Sequence, residues 1–269
     1  MFSYRDLTKV FHNAGLDSQS RVLLHASIPA IGEIAGGAET LLGAIIATVE
    51  TAITPTFTTK AMIIPPFGPE DNALDYAASQ DQDTLGETFH VDLSPDAHLG
   101  EVAETMLRHP DASRSNHPLL SFAGINADEA LALQTLEEPW APIKWLADAD
   151  GDVCLMGVDH TWNVALHFAE FLANRKQFLR WAMVEGKVIE VPRFPGCSKS
   201  FQDIAPNLEG IVRMTPIGDV VVQLIPLRDL INIATGRIRE DPKAFLCDDQ
   251  ECKFCESVRS AHPVISGSK

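Results

Sequence analysis

The amino-acid sequence predicts a single mixed α/β domain, with a central sheet carrying helices on both faces. Two observations support this. Short apolar runs at residues 21–25 and 152–158 each pass through a glycine-marked turn into a stretch with helical spacing. In addition, the 269 residues contain no internal repeat and no low-complexity linker, and 45% hydrophobic with 22% charged residues is ordinary globular composition.

In chain order, residues 3–14 read as an amphipathic helix and residues 21–25 as an apolar strand ending in a polar residue. A loop bearing Gly32, Gly36 and Gly37 follows. Residues 38–49 form a helix with Glu39 in its first turn, where negative charge suits the dipole. Residues 52–57 are a second strand. Residues 65–95, rich in Pro and acids and without periodicity, read as a long acidic loop on the substrate side. Helical spacing returns at 98–108, and residues 114–122 form a loop leading into a strand. Residues 127–136 make a short helix, residues 152–158 a strand, and a helix of about fifteen residues is expected after it. Strands at 188–193 and 220–224, a helix at 227–235 and a Cys-containing tail from 245 to 269 complete the chain.

The net charge of −16 is unevenly spread. Residues 61–143 hold fifteen carboxylates against Arg108 and Arg114, a net charge of −13. Repulsion argues against nucleic acid and anionic membrane surfaces as partners. A cleft lined by one sign of charge concentrates ligands of the other, so a small polycation suits this chain. The alternative is a surface that merely keeps the protein soluble. No apolar run reaches the ~20 residues of a membrane span. The leading MFSYRDLTKV is charged where a signal peptide needs an apolar core, so a cytoplasmic protein is expected.

After the strand at 152–158, polar residues fall at His160, Asn163, His167, Glu170 and Asn174. On one continuous helix this spacing puts all five on a single face. His167 and Glu170, three apart, can share a hydrogen bond in which the carboxylate orients the ring and raises its basicity, as a general base requires. Metal binding by His160, His167 and Glu170, as in a metal-dependent hydrolase, and a solvated face are the alternatives. The loop after the first strand places Gly36 and Gly37 before a helix start, where phosphate can approach backbone N–H groups, or where the chain simply turns tightly. His25 at the strand end reads equally well as a core histidine or as a site residue.

Four ordered segments, LLHASIPAIGEIAGGAETLLGAI, TPTFT, LGEVAETMLRHPDASRSNHPLLSFAG and GDVCLMGVDHTWNVALHFAE, resemble the aminoglycoside 3-N-acetyltransferase family over residues 21–170. The resemblance implies acetyl-CoA as co-substrate and transfer of its acetyl group to the 3-amine of a 2-deoxystreptamine ring. It implies that the loop carrying His25, Ser27, Gly36 and Gly37 holds the coenzyme, with Arg114, Ser115 and His117 nearby. It implies His167 as catalytic base with Glu170 as partner, in direct transfer, by a monomer or homodimer. Histidine, with an ordinary pKa of about 6.5, is suited to take the proton of a bound ammonium near neutrality. The sequence departs from the family pattern at Val164, where a Thr is usual, at Ala165 and at Ala26. Transfer to another natural-product or cellular amine is the nearest alternative, and a non-catalytic polycation binder a more distant one.

Cys197 and the C-x4-C-x2-C run of Cys247, Cys252 and Cys255 offer four thiols. These could form a tetrahedral structural zinc site, but one C-x2-C with an upstream Cys is a weak-to-moderate signature, and the expectation is reduced thiols near a solvated terminus, with no metal.

Overall fold

The computed structural model describes residues 1–76 and 86–261. The elements are α1 (Tyr4–Asn13), β1 (Arg21–Ala26), α2 (Ile28–Ile31), α3 (Gly37–Ile46), β2 (Thr51–Pro55), β3 (Met62–Ile63), α4 (Glu101–Arg108), β4 (Ala112–Arg114), β5 (Phe122–Ile125), α5 (Asp128–Ala132), α6 (Ala141–Asp148), β6 (Asp152–Met156), α7 (Ala165–Leu172), β7 (Phe178–Val184), β8 (Lys187–Phe194), β9 (Arg213–Ile217), β10 (Val220–Pro226), α8 (Leu227–Glu240) and α9 (Lys253–Ala261).

The central sheet runs β4-β5-β2-β1-β6-β10-β9. Its middle strands β2, β1 and β6 are parallel and the flanking pairs antiparallel. Side chains alternate across it, as the two-residue period of a strand dictates. Val22, Leu24, Ala52, Cys154 and Met156 face a core built with α1, α3 and α4. Leu23, Ile53, Val153 and Leu155 face a second core that holds α6, α7, α8 and the three-stranded sheet β3-β7-β8. Both faces are therefore covered, as parallel strands require. Among the described residues no helix is long and apolar enough to cross a membrane.

The structure differs from the expectation after β6. The fifteen-residue helix is replaced by a 3-10 turn, His160–Trp162, followed by the eight-residue α7. Asp159 Oδ1 accepts from Thr161 N at 2.9 Å, and Asn163 Oδ1 accepts from Ala165 N at 3.2 Å. These short polar side chains satisfy backbone donors locally and so compete with helix formation. The five-residue stripe is thereby broken. His160 and Asn163 precede the helix, and Asn174 follows it at φ 58°.

Several elements lie where no element was expected. In β7, Arg180 interrupts the apolar run but is 1% exposed. Its guanidinium lies 5.1–5.5 Å from the ring centroids of Phe178, Phe194 and Phe254, and it donates to Asn72 O at 3.0 Å. Stacking on aromatic faces lets an arginine occupy a core position. Of the acidic loop expected along the substrate side at residues 65–95, Asn72 is tied to β7 while Ser94 and Pro95 line the larger of the two cavities described below. Asn72 exchanges hydrogen bonds of 2.8 and 2.9 Å with the backbone of Leu179. The expectation for residues 77–85 lies outside the described residues. As far as Ala261 the tail is packed rather than solvated, because α9 buries Cys255 and Val258 and sets Phe254 edge-on against Phe178 at 4.9 Å; the expectation for residues 262–269 lies outside the described residues.

Candidate active site

A single buried chain of polar groups begins on α7. His167 Nδ1 and Glu170 Oε2 are 2.8 Å apart, one helical turn along the same face. The other carboxylate oxygen, Oε1, accepts from Arg175 Nη1 at 2.9 Å. Arg175 in turn donates from Nη2 to Pro242 O and Ala244 O at 2.9 and 2.7 Å. All three side chains are buried, so each charge is matched by a partner, as burial requires. Asn174 makes the triad possible, because its left-handed backbone folds Arg175 back onto the helix end, where Arg175 N donates to Glu170 O at 3.0 Å. Trp140 stacks on the His167 ring at 5.9 Å and Phe201 meets its edge at 4.7 Å, fixing its plane. With Nδ1 held by a carboxylate, the network assigns the proton to Nδ1 and leaves the Nε2 lone pair free.

His167 lines a cavity of about 480 Å³ with Phe57, Leu120, Asn163, Val164 and residues 194–196, 198 and 199. A larger trough, of about 1120 Å³, lies over the carboxyl ends of β1, β2 and β6. Open α/β sheets place ligands at such strand ends. Thr59, His98, Leu99 and Trp162 line both cavities, so the two spaces meet there. His25 and Ser27 stand on the trough wall. His25 Nε2 is buried without a partner among the described residues, and burial together with the neighbouring His160 lowers its pKa to about 3.

The remaining expected coenzyme residues do not reach either cavity. Gly36, at φ 83°, and Gly37 form the start of α3 away from the trough walls. Arg114 is consumed by the protein, donating to Ser121 Oγ at 3.1 Å, Val91 O at 2.9 Å, Leu93 O at 2.5 Å and Thr56 O at 2.7 Å. It therefore ties residues 91–93 to the exit of β2. Ser115 Oγ accepts from Phe122 N at 2.8 Å, and His117 Nδ1 accepts from Leu119 N and Leu120 N at 3.2 and 2.9 Å. These three residues hold the loop that positions Leu120 on the smaller cavity. The carboxylates on the cavity walls, Asp96, Glu101 and Glu104, all belong to the trough. Asp96 is spent on Thr59 and on Lys60 N, and Glu104 on Arg108, so the acidic lining is thinner than the charge count implied.

Two outcomes are expected here. Lysine cannot reproduce the fork that Arg114 offers to four acceptors, so Arg114→Lys should cost about 2 kcal/mol, read as a lower urea midpoint at constant slope. An unchanged midpoint would remove its tying role. His117, at a pKa lowered to about 4 by burial, is neutral when folded and protonates near 6.5 when unfolded. Its contribution is present above pH 6.5 and is lost as pH falls toward 4, about 2 kcal/mol by pH 5. His117→Asn, which keeps an acceptor for the two N–H groups, should show a correspondingly weaker fall between pH 8 and 5. Parallel curves for the two proteins would refute this.

His160, His167 and Glu170 do not converge on a common point. His160 Nδ1 instead meets Asn163 at 3.2 Å, and among the described residues only the four cysteines gather as possible metal ligands. Sequence reasoning missed Arg175, Trp140 and Phe201.

Comparison with known proteins identifies the family and supports the fold. The family model for aminoglycoside 3-N-acetyltransferases matches residues 23–239. Aminoglycoside N(3)-acetyltransferase VII of Streptomyces paromomycinus is 31% identical over 88% of this chain and 90% of its own. Aminoglycoside N(3)-acetyltransferase IV of a Salmonella species is 27% identical over 87% and 86%. The crystal structure of the aminoglycoside acetyltransferase AAC(3)-IVa apoenzyme superposes with a TM-score of 0.78 at 24% identity, covering 97% of this chain and 98% of that one. A histidine-to-alanine mutant of that enzyme, in complex with a gentamicin, gives 0.77 at 25% identity, covering 96% and 97%. The chain belongs to the aminoglycoside 3-N-acetyltransferase family and is an acyltransferase.

Proposed function

We propose that the protein transfers the acetyl group of acetyl-CoA directly to the 3-amine of the 2-deoxystreptamine ring of an aminoglycoside, with His167 as general base. The observation that carries this reading is the His167–Glu170–Arg175 chain, with an unengaged Nε2 on a cavity that opens into a second, larger one. Two substrates entering from two sides then meet at the imidazole. His25 Nε2, buried on the trough wall and lacking a partner among the described residues, fits a polar atom of the coenzyme, and Ser27 lines the same wall. When bound, the coenzyme supplies an activated acetyl thioester.

His167 Nε2 takes a proton from the bound ammonium, freeing the nitrogen lone pair to attack the acetyl carbon. His167 passes that first proton to solvent; as the C–N bond forms and the C–S bond breaks, it takes the second proton from the acylated nitrogen and makes it available to the departing sulfur, so the products are the N-acetyl amide, the CoA thiol and one released proton. Glu170 stabilises the imidazolium between these events, and Arg175, at 2.9 Å from its other oxygen, keeps Glu170 in place. Trp140 and Phe201 exclude water from the ring faces. The acidic surface as a whole draws a polycation toward the site.

The test follows CoA release with a thiol reagent across deoxystreptamine drugs that carry or lack a free 3-amine. Release only with the former is expected, and no release with any of them defeats the reading. One observation favours a second acceptor, another natural-product or cellular amine. Among the described residues, no carboxylate lines the smaller cavity and its one formally charged side chain is Lys199. Faster release with amines outside the deoxystreptamine class would select it.

A further inference from the structure

We infer that Cys197, Cys247, Cys252 and Cys255 bind one zinc ion, and that this ion fixes the wall of the cavity holding His167. The four Sγ atoms lie within 4.8 Å of one another. Cys197 to Cys247 is 3.9 Å and Cys247 to Cys255 is 3.5 Å. A tetrahedron with zinc–sulfur bonds of about 2.3 Å has sulfur–sulfur edges of about 3.8 Å, which these distances bracket. All the cysteines are free thiols, so no bond between pairs accounts for the gathering.

The surroundings suit a metal centre. Four thiolates around Zn²⁺ leave a net charge of −2, and cations should stand close by. Lys199 N lies 3.4 Å from Cys197 Sγ as a donor. Its ammonium is held over the same loop by Asp249 at 3.0 Å, and Arg259 donates to the Cys247 carbonyl. Such outer contacts orient ligands and offset their charge. Cys252 precedes α9 and Cys255 sits in its first turn, where Glu256 N donates to Cys252 O at 2.9 Å. Three ligands thus come from one tight turn and the fourth from the segment after β8, the closed four-thiolate arrangement of structural zinc. This departs from the reduced, solvated thiols expected from sequence.

The position gives the ion a role. Phe194, Pro195, Gly196, Ser198 and Lys199 line the cavity beside His167, and Cys197 lies in their midst. Residues 195–199, which follow β8, form neither helix nor strand, so their shape depends on what anchors them. Zinc joins them to the tail and sets the cavity width. The metal site stands apart from the proposed acceptor, and its readout does not require turnover.

The purified full-length chain is assayed for metal by elemental analysis, and zinc release is followed with a colorimetric chelator during thiol titration. One zinc per chain is expected, released in step with modification of four thiols, while Cys154, fully buried in β6, stays silent. Folded protein with under about a tenth of an equivalent of zinc after incubation with zinc chloride would overturn the proposal, as would iron in its place. Cobalt(II) added to metal-stripped protein should give the intense visible bands of a tetrahedral thiolate site, and their absence would equally overturn it. Cys252→Ser, at the half-buried ligand, should lose zinc and raise the acceptor KM about tenfold with the coenzyme KM unchanged. If that variant fails to fold, the metal and cobalt measurements on the unmutated chain still decide. Zinc loss with both KM values unchanged would defeat the wall-fixing role.

Discussion

His167→Ala should lower kcat by about 10²–10⁴-fold while leaving the coenzyme KM and the urea midpoint close to those of the unmutated protein. The size follows from the role, because without the imidazole a bound ammonium can lose its proton only to water. The sparing of the fold follows from position. Nε2 makes no hydrogen bond among the described residues, and the ring's contacts with Trp140 and Phe201 are edge and face contacts at the margin of a cavity. The one polar partner left behind, Glu170, remains paired with Arg175 at 2.9 Å. Turnover preserved at neutral pH would assign the proton to another group, and the proposed mechanism would fail.

The pairing of His167 with Glu170 was legible because a spacing of three residues has one geometric meaning on a helix. The third partner was not. Arg175 lies five residues beyond Glu170, off the face, and reaches it only because Asn174 adopts φ 58°. No periodicity announces a single left-handed residue. The sheet was legible at β1 and β6, whose apolar runs are uninterrupted, but β7 was hidden by Arg180. That residue reads as surface until three aromatic rings from distant parts of the chain are placed around it. Arg114 shows the limit of motif reading. The motif flagged the residue, and four of its five N–H donors serve carbonyl and hydroxyl oxygens of its own fold. A motif marks a residue as needed without saying whether ligand or backbone needs it. Cys197 and Cys247, fifty residues apart, came together only in three dimensions.

Glu170→Ala should be the more damaging change to the fold, costing about 3–5 kcal/mol and appearing as a sharply lower urea midpoint. The loss arises because Arg175, 5% exposed, would be left with its carbonyl contacts but no counter-charge. Glu170→Gln keeps the volume and one acceptor, so most of that stability should return. Its kcat should nevertheless stay about 10³–10⁴-fold down, since an amide neither stabilises an imidazolium nor fixes the Nδ1 proton. The pairing of Glu170→Leu with Arg175→Met separates the two effects. It removes both charges and fills the space with apolar groups, which commonly costs little against a buried ion pair. Stability near that of the unmutated chain, together with absent turnover, would show that the carboxylate serves chemistry and the arginine serves the carboxylate. Were the double variant as unstable as Glu170→Ala, the coupling between them would be absent, and the triad would be three neighbours and not a unit.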